Sequence, residues 1–184
     1  MQYFFFFSTV VGKLKTVAID NVNKDEMKVR WRLDCSDRVG IVTGYNISYC
    51  AIADDSAEGD CVGREMHQTT GPDKEQLWIT GLKPWTYYKV GVAVVTRAGE
   101  SEISDLLVNR TERDRPGSAP TKFNTVMLSK NKVQLSWGPP EVPNGPIDFY
   151  QVGVLQFKTL QSRFLMTDVL KTGSLWFHRL PRSR

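Results

Sequence analysis

The chain has 184 residues, 41% of them hydrophobic and 24% charged, the make-up of an ordinary globular protein, which excludes a disordered or fibrous one. Its formal net charge of +4 resides in residues 161–184, where Arg163, Lys171, Arg179, Arg182 and Arg184 are opposed only by Asp168. The rest of the chain is neutral, so the folded part offers no basic face for nucleic acid, and the basic end reads as a solvated tail.

Residues 1–12 hold the apolar run Tyr3-Phe4-Phe5-Phe6-Phe7. Both a secretory signal core and a truncated leading segment fit it: no Lys or Arg precedes the run, and no small-x-small site follows before Lys13. It is shorter than the roughly 20 apolar residues a bilayer span needs, and no other stretch approaches that length. The segment itself is therefore expected to make no membrane contact.

Beyond it, period-2 alternation marks a succession of strands. Leu14, Thr16 and Ala18 form the first; Met27, Val29, Trp31 and Leu33 the second; Tyr45, Ile47 and Tyr49 the third. Residues 61–67 supply a fourth, residues 76–79 a short fifth, Tyr88, Val90, Val92 and Val94 a long sixth, and residues 103–108 a seventh. Seven short strands joined by polar turns predict an all-β, immunoglobulin-like β-sandwich. Pro116, Gly117 and Pro120 then interrupt regular pairing and predict a domain boundary near residue 115.

The pattern restarts after that boundary. Trp137 stands 106 residues after Trp31, and the steps from each tryptophan to the next strand's tyrosine, Tyr45 and Tyr150, are 14 and 13 residues. A strand-built repeat of about 100 residues points to tandem sandwiches, since solenoid units run to about 20–50. The second copy is incomplete: only 69 residues remain from Pro116 onward, where a sandwich of this kind uses about 100. The expected organisation is an apolar segment at 1–12, a complete domain at 13–112, a linker at 113–120, a partial domain at 121–157 and an atypical basic tail at 158–184. An incomplete sandwich leaves an open sheet edge and an uncovered apolar face.

The segment running from Leu82 through Pro84, Thr86, Tyr88, Val90, Val92 and Val94 to Gly99 and Ser101 resembles the second half of a fibronectin type III domain. In that family a Leu-x-Pro-x-Thr-x-Tyr corner leads into an alternating strand and then a Gly-x-Ser turn. Trp31 and Trp137 stand at the place of the family's buried second-strand tryptophan, and Tyr45 and Tyr150 resemble its third-strand tyrosine. The resemblance covers residues 13–112 fully and 116–157 in part. Its physics is independent of the name. A tyrosine at position 88 can bury its ring at the sandwich edge while its hydroxyl bonds to corner backbone. Trp31 fills the thin space between two sheets with about 150–250 Å² of buried area.

Three cysteines are present. Cys50 ends the third strand and Cys61 begins the fourth, so a bridge between them closes a short loop, a constraint worth roughly 2–3 kcal/mol by chain entropy. Cys35 ends the second strand at the opposite pole, about 20 Å from Cys50 at roughly 3.3 Å per strand residue, beyond bridging distance. The pairing Cys50–Cys61 with Cys35 left over is expected; three reduced thiols in a cytosolic protein are the alternative. Two glycosylation sequons occur, Asn46-Ile-Ser48 and Asn109-Arg-Thr111. Alternation turns Asn46 away from the core, and Asn109 follows the last strand, so both are expected to be exposed.

Catalysis finds no support. His67 and His178 are the two side chains suited to act as a neutral-pH base, and no nucleophile elbow, phosphate-binding glycine loop or paired-His metal motif appears. The loop with Asp54, Asp55, Glu58 and Asp60 reads as a solvated turn before it reads as a calcium site. The expectation is a non-enzymatic chain with no cofactor and no metal. The family resemblance implies protein-binding and spacer modules from the extracellular part of a plasma-membrane receptor or adhesion protein. Its partners would be a protein ligand or neighbouring receptor domains, met at residues 35–43, 96–101 and 111–120. Cytokine receptors, insect ones with several such modules among them, share this plan. Their Trp-Ser-x-Trp-Ser signature is absent, and Gly99-Glu-Ser101-Glu-Ile-Ser104 stands in its place. Competing readings are an intracellular structural protein with tandem modules, and accessory domains of a receptor phosphatase or kinase.

Overall fold

The structure is a computed structural model that describes residues 12–34, 41–129, 132–158, 161–170 and 174–178, with side chains up to residue 153. The chain divides into two compact units, Met1–Asp114 and Arg115–Arg184. Every described regular element is a β-strand, and all the strand pairs are antiparallel.

Unit 1 is a two-sheet sandwich. One sheet has the order β1 (Thr16–Val22), β2 (Glu26–Arg32), β5 (Gln76–Thr80). The other runs β4 (Met66–Thr70), β3 (Val42–Ile52), β6 (Tyr87–Thr96), and β6 is then flanked by β7 (Gly99–Glu100) and β8 (Leu107–Arg110). Alternation sets which face each residue takes. Met27, Val29 and Trp31 from β2 turn inward, as do Tyr45, Ile47 and Tyr49 from β3 and Val90, Val92 and Val94 from β6. Leu14, Ile79, Leu82 and Tyr88 complete this core. Trp31, 1% exposed, lies with its ring centroid 5.2 Å from that of Tyr45 at a 51° tilt, so the two large residues fill the middle layer together.

Two strands differ from the alternation reading. The fourth ladder is Met66–Thr70, not residues 61–67, because Cys61 makes only an isolated bridge with Ile52 and the chain rejoins β3 five residues later. The seventh strand is split. Residues 101–106 leave the ladder between β7 and β8, yet Ser101 and Ser104 donate their backbone N–H groups to the carbonyls of Val94 and Val92, each at 2.9 Å. Their hydroxyls accept the N–H groups of the same two residues, at 2.9 and 3.1 Å. Serine side chains thus serve as the acceptors that backbone carbonyls would otherwise supply, and β6 stays satisfied beside an irregular segment. Asn109 consequently lies within β8 instead of following the last strand.

Unit 2 holds a three-stranded sheet and a hairpin. The sheet order is β13 (Ser174–His178), β10 (Lys132–Pro140), β9 (Pro120–Ser129); the hairpin pairs β11 (Tyr150–Lys158) with β12 (Gln161–Leu170). Strand pairing therefore continues past residue 157: residues 161–170 and 174–178 of the segment read as a tail are laddered onto β11 and β10. The repeat is preserved in geometry, since Trp137 and Tyr150 meet edge-on at 5.6 Å between centroids. Their surroundings are not. Both are only half-buried, and Phe123 and Met127 are 65% and 73% exposed. In unit 1 the equivalent face of β2 is covered by the opposing sheet, through Tyr45 and Ile47 of β3 and Val90, Val92 and Val94 of β6.

Candidate functional site

The corner between β5 and β6 organises one end of unit 1. Leu82 is buried, and its N–H donates to the carbonyl of Asp25 at 2.9 Å. The chain turns through Pro84 and Trp85, the latter in the left-handed region at φ 52°. Tyr88, 3% exposed, accepts the Lys83 N–H on its hydroxyl at 2.9 Å, which satisfies the buried phenol and a corner N–H together. Thr111, equally hidden, donates its hydroxyl to the Lys83 carbonyl at 2.7 Å and accepts the Thr86 N–H at 2.9 Å. Trp85 N–H then donates to the carbonyl of Glu112, and Glu112 N–H to that of Asn23, both at 3.1 Å.

On the outside of this corner lies an aromatic–cation stack in which Trp85 is exposed and Tyr87 and Arg110 are half-buried. The Arg110 guanidinium lies 3.5 Å from the Trp85 ring centroid and 4.9 Å from that of Tyr87, within cation–π range of both. A cavity of about 400 Å³ adjoins it, with Asp55, Asn109 and Glu112 on its wall. Trp85, Arg110 and Thr111 carried no signal in the sequence: the first two lack a motif, and Thr111 is hidden as the third residue of a sequon.

The same end of unit 1 carries the disulfide, since Cys50 pairs with Lys89 and Ile52 with Tyr87. Cys50 and Cys61 are bonded, with Cα atoms 5.6 Å apart, and Val62 N–H donates to the Ala51 carbonyl at 2.7 Å beside the bridge. The acidic loop between them is held as a turn: Asp54 accepts the Ser56 N–H at 3.0 Å, and Lys89 Nζ donates to the Gly59 carbonyl at 2.7 Å. Among the described residues no group of His, Cys, Asp or Glu gathers in a metal-binding arrangement. Next to the bridge a groove of about 1040 Å³ runs along β4, lined by Tyr49, Ala51, Val62, Met66, His67 and Tyr88. Among the described residues no strand pairs with the far edge of β4, so its backbone groups face outward beside this groove. The Tyr49 phenol is pushed above its ordinary pKa, first by burial; the Gln68 hydrogen bond opposes the shift and the neighbouring Tyr88 adds to it.

The two sequons have unlike surroundings. Asn46 does face away from the core, but it is half-buried in mid-sheet. Its Nδ2 donates to Glu100 Oε1 at 2.7 Å, and its buried Oδ1 has no partner among the described residues. Asn109 is exposed on β8, where its Oδ1 accepts the Arg110 N–H at 2.8 Å. Cys35 and most of residues 35–43 lie outside the described residues. Residues 96–101 form a tight turn closed by Thr96, whose hydroxyl donates to the Gly99 carbonyl at 2.9 Å and accepts the Ala98 N–H at 3.2 Å. Near the boundary, Lys24 pairs with Asp114 at 3.0 Å in unit 1. In unit 2, Asn144 Nδ2 donates to the Arg115 carbonyl at 3.0 Å and Gly117 N–H to the Val142 carbonyl at 2.8 Å.

Two antiparallel sheets, a tyrosine-locked corner and a tryptophan-filled middle layer define unit 1 as an immunoglobulin-like β-sandwich module. Residues 12–110 match the fibronectin type III domain, and through them the chain belongs to that family. The modules of this family are non-catalytic. The chain is 38% identical over 105 residues to phosphatidylinositol phosphatase PTPRQ of Homo sapiens, covering 55% of this chain and 4% of that protein. It is 32% identical over 162 residues to receptor-type tyrosine-protein phosphatase F of Mus musculus, covering 85% of this chain and 8% of that protein. Protein sidekick-1 of Mus musculus is 28% identical over 140 residues, 75% of this chain and 6% of that protein. The chain thus spans less than a tenth of the length of each of these relatives. No helix among the described residues is long and apolar enough to cross a membrane.

Proposed function

We propose that this chain is a protein-binding and spacer segment from the extracellular part of a plasma-membrane receptor or adhesion protein. The observation that carries the reading is the Cys50–Cys61 bridge at the end of the groove along β4, because such a bond persists in an oxidising compartment and is kept reduced in the cytosol. The names of the relatives, receptor-type phosphatases among them, agree with that placement. Binding would use the unpaired edge of β4 and the groove beside it, where an extended segment of a protein ligand can add a strand and seat alternate side chains against Tyr49 and Met66. No cofactor enters this function, and any catalytic domain would lie outside these residues.

The test is intact mass of the protein secreted from eukaryotic cells, with and without alkylation of free thiols. One alkylatable cysteine in a secreted product is the expected result. Three free thiols in a chain retained inside the cell would sink the reading in favour of an intracellular scaffold.

A further inference from the structure

Resting on the extracellular reading, we infer that Asn109 carries an N-linked glycan and that Asn46, despite its sequon, does not. Both are Asn-x-Ser/Thr acceptors, so the sequence treats them alike. Their geometry separates them.

A sugar on Asn46 replaces one N–H of Nδ2 and needs room for a pyranose ring where Glu100 now lies. That nitrogen is already committed to Glu100 Oε1 at 2.7 Å. Asn46 sits in β3 between β4 and β6, paired with Thr69 on one side and Ala93 on the other. The outward face around it is partly closed: Ser48 and Ala93, which share that face, are 6% and 3% exposed, while Thr69 and Glu100 at its margin are exposed. Transfer to the chain precedes folding, so a sugar placed here would have to be accommodated as β7 closes onto β6. It would displace Glu100 and strand further the buried Oδ1, which has no partner among the described residues. Molecules so modified fold poorly and drop out of the secreted pool.

Asn109 has the opposite setting. It is exposed on a strand that, among the described residues, pairs on one side only, with β6. Its carbonyl oxygen is occupied by the Arg110 N–H, and among the described residues no acceptor holds its Nδ2, which is the nitrogen to be modified. Asn109 also lines the 400 Å³ cavity, while the Trp85–Arg110–Tyr87 stack takes the other face of β8, because Asn109 pairs with Tyr88 and Arg110 with Tyr87. A glycan there shields the rim where β8 packs against β1 and leaves the β4 edge free for a protein partner.

The experiment is site-resolved glycopeptide mapping of the secreted, unmutated protein, with enzymatic glycan release in heavy-oxygen water so that each formerly modified asparagine becomes a labelled aspartate. Thiol alkylation of the same sample reports the compartment. Label at Asn109 alone, with the whole glycan mass lost in Asn109→Gln, is the expected result. Label at Asn46, alone or with Asn109, overturns this inference and leaves the extracellular reading standing. A secreted, bridged protein with no label at either site also overturns the inference alone. Retention in the cell with three free thiols overturns both.

Discussion

Thr111 donates its hydroxyl to the carbonyl of Lys83 at 2.7 Å across 28 residues of chain, which locks the end of unit 1 onto its tyrosine corner. The same oxygen accepts the Thr86 N–H at 2.9 Å, so one side chain satisfies a donor and an acceptor that the turn leaves over.

Thr111→Val keeps the shape and removes both bonds in a site 1% exposed, which strands two backbone groups. A loss of about 1–3 kcal/mol in urea unfolding, with the slope unchanged, is expected. Thr111→Ser restores most of that stability, because the hydroxyl and not the methyl does this work; a serine variant as unstable as the valine one would contradict it.

Tyr88→Phe leaves the Lys83 N–H without its 2.9 Å acceptor while the ring stays buried. Equilibrium unfolding should again show a cost of about 1–3 kcal/mol. Since Lys83 serves both Tyr88 and Thr111, the double variant should depart measurably from the sum of the single ones.

Gly44 precedes Tyr45 on β3 at a point where a Cβ would run into the backbone carbonyl of Thr70 on β4. Backbone cannot yield as a side-chain tip can. Gly44→Ala should therefore destabilise by about 1–3 kcal/mol and loosen the β4 edge, seen as faster amide exchange at residues 66–70 than in the parent. Unchanged exchange there would place the strain elsewhere.

Replacing Cys50 and Cys61 together by alanine opens an 11-residue separation in the chain. The unfolded state gains freedom worth about 2–3 kcal/mol, read as a lower urea midpoint. The parent under reducing conditions should match the double variant.

The raised pKa of Tyr49 makes stability depend on alkaline pH. The folded state holds the phenolic proton more tightly than the unfolded state, so the contribution is whole below the unfolded value of 10.0 and is lost as pH rises through the folded one. Urea midpoints should fall more steeply above that pH in the parent than in Tyr49→Phe; equal slopes would remove Tyr49 as the cause.

The sandwich class and the family were legible because they rest on periodic signals. Alternation at Met27, Val29 and Trp31, or at Val90, Val92 and Val94, states which face is buried, and a buried face dictates a partner sheet. The Leu82–Tyr88 corner was equally readable, since a buried phenol must find a backbone partner nearby. Other features depend on groups far apart in the chain. Nothing local says that Ser101 and Ser104 hydroxyls replace carbonyls beside β6, or that residues 101–106 leave the ladder. Alternation turned Asn46 outward, but nothing local says that Glu100, 54 residues on, accepts its Nδ2 hydrogen bond. Arg110 joins Trp85 and Tyr87 across the corner for the same reason. Periodicity reports a residue's side of its own strand; what stands above that side is set by long-range folding, and there the two sequons and the aromatic–cation stack acquire their different chemistry.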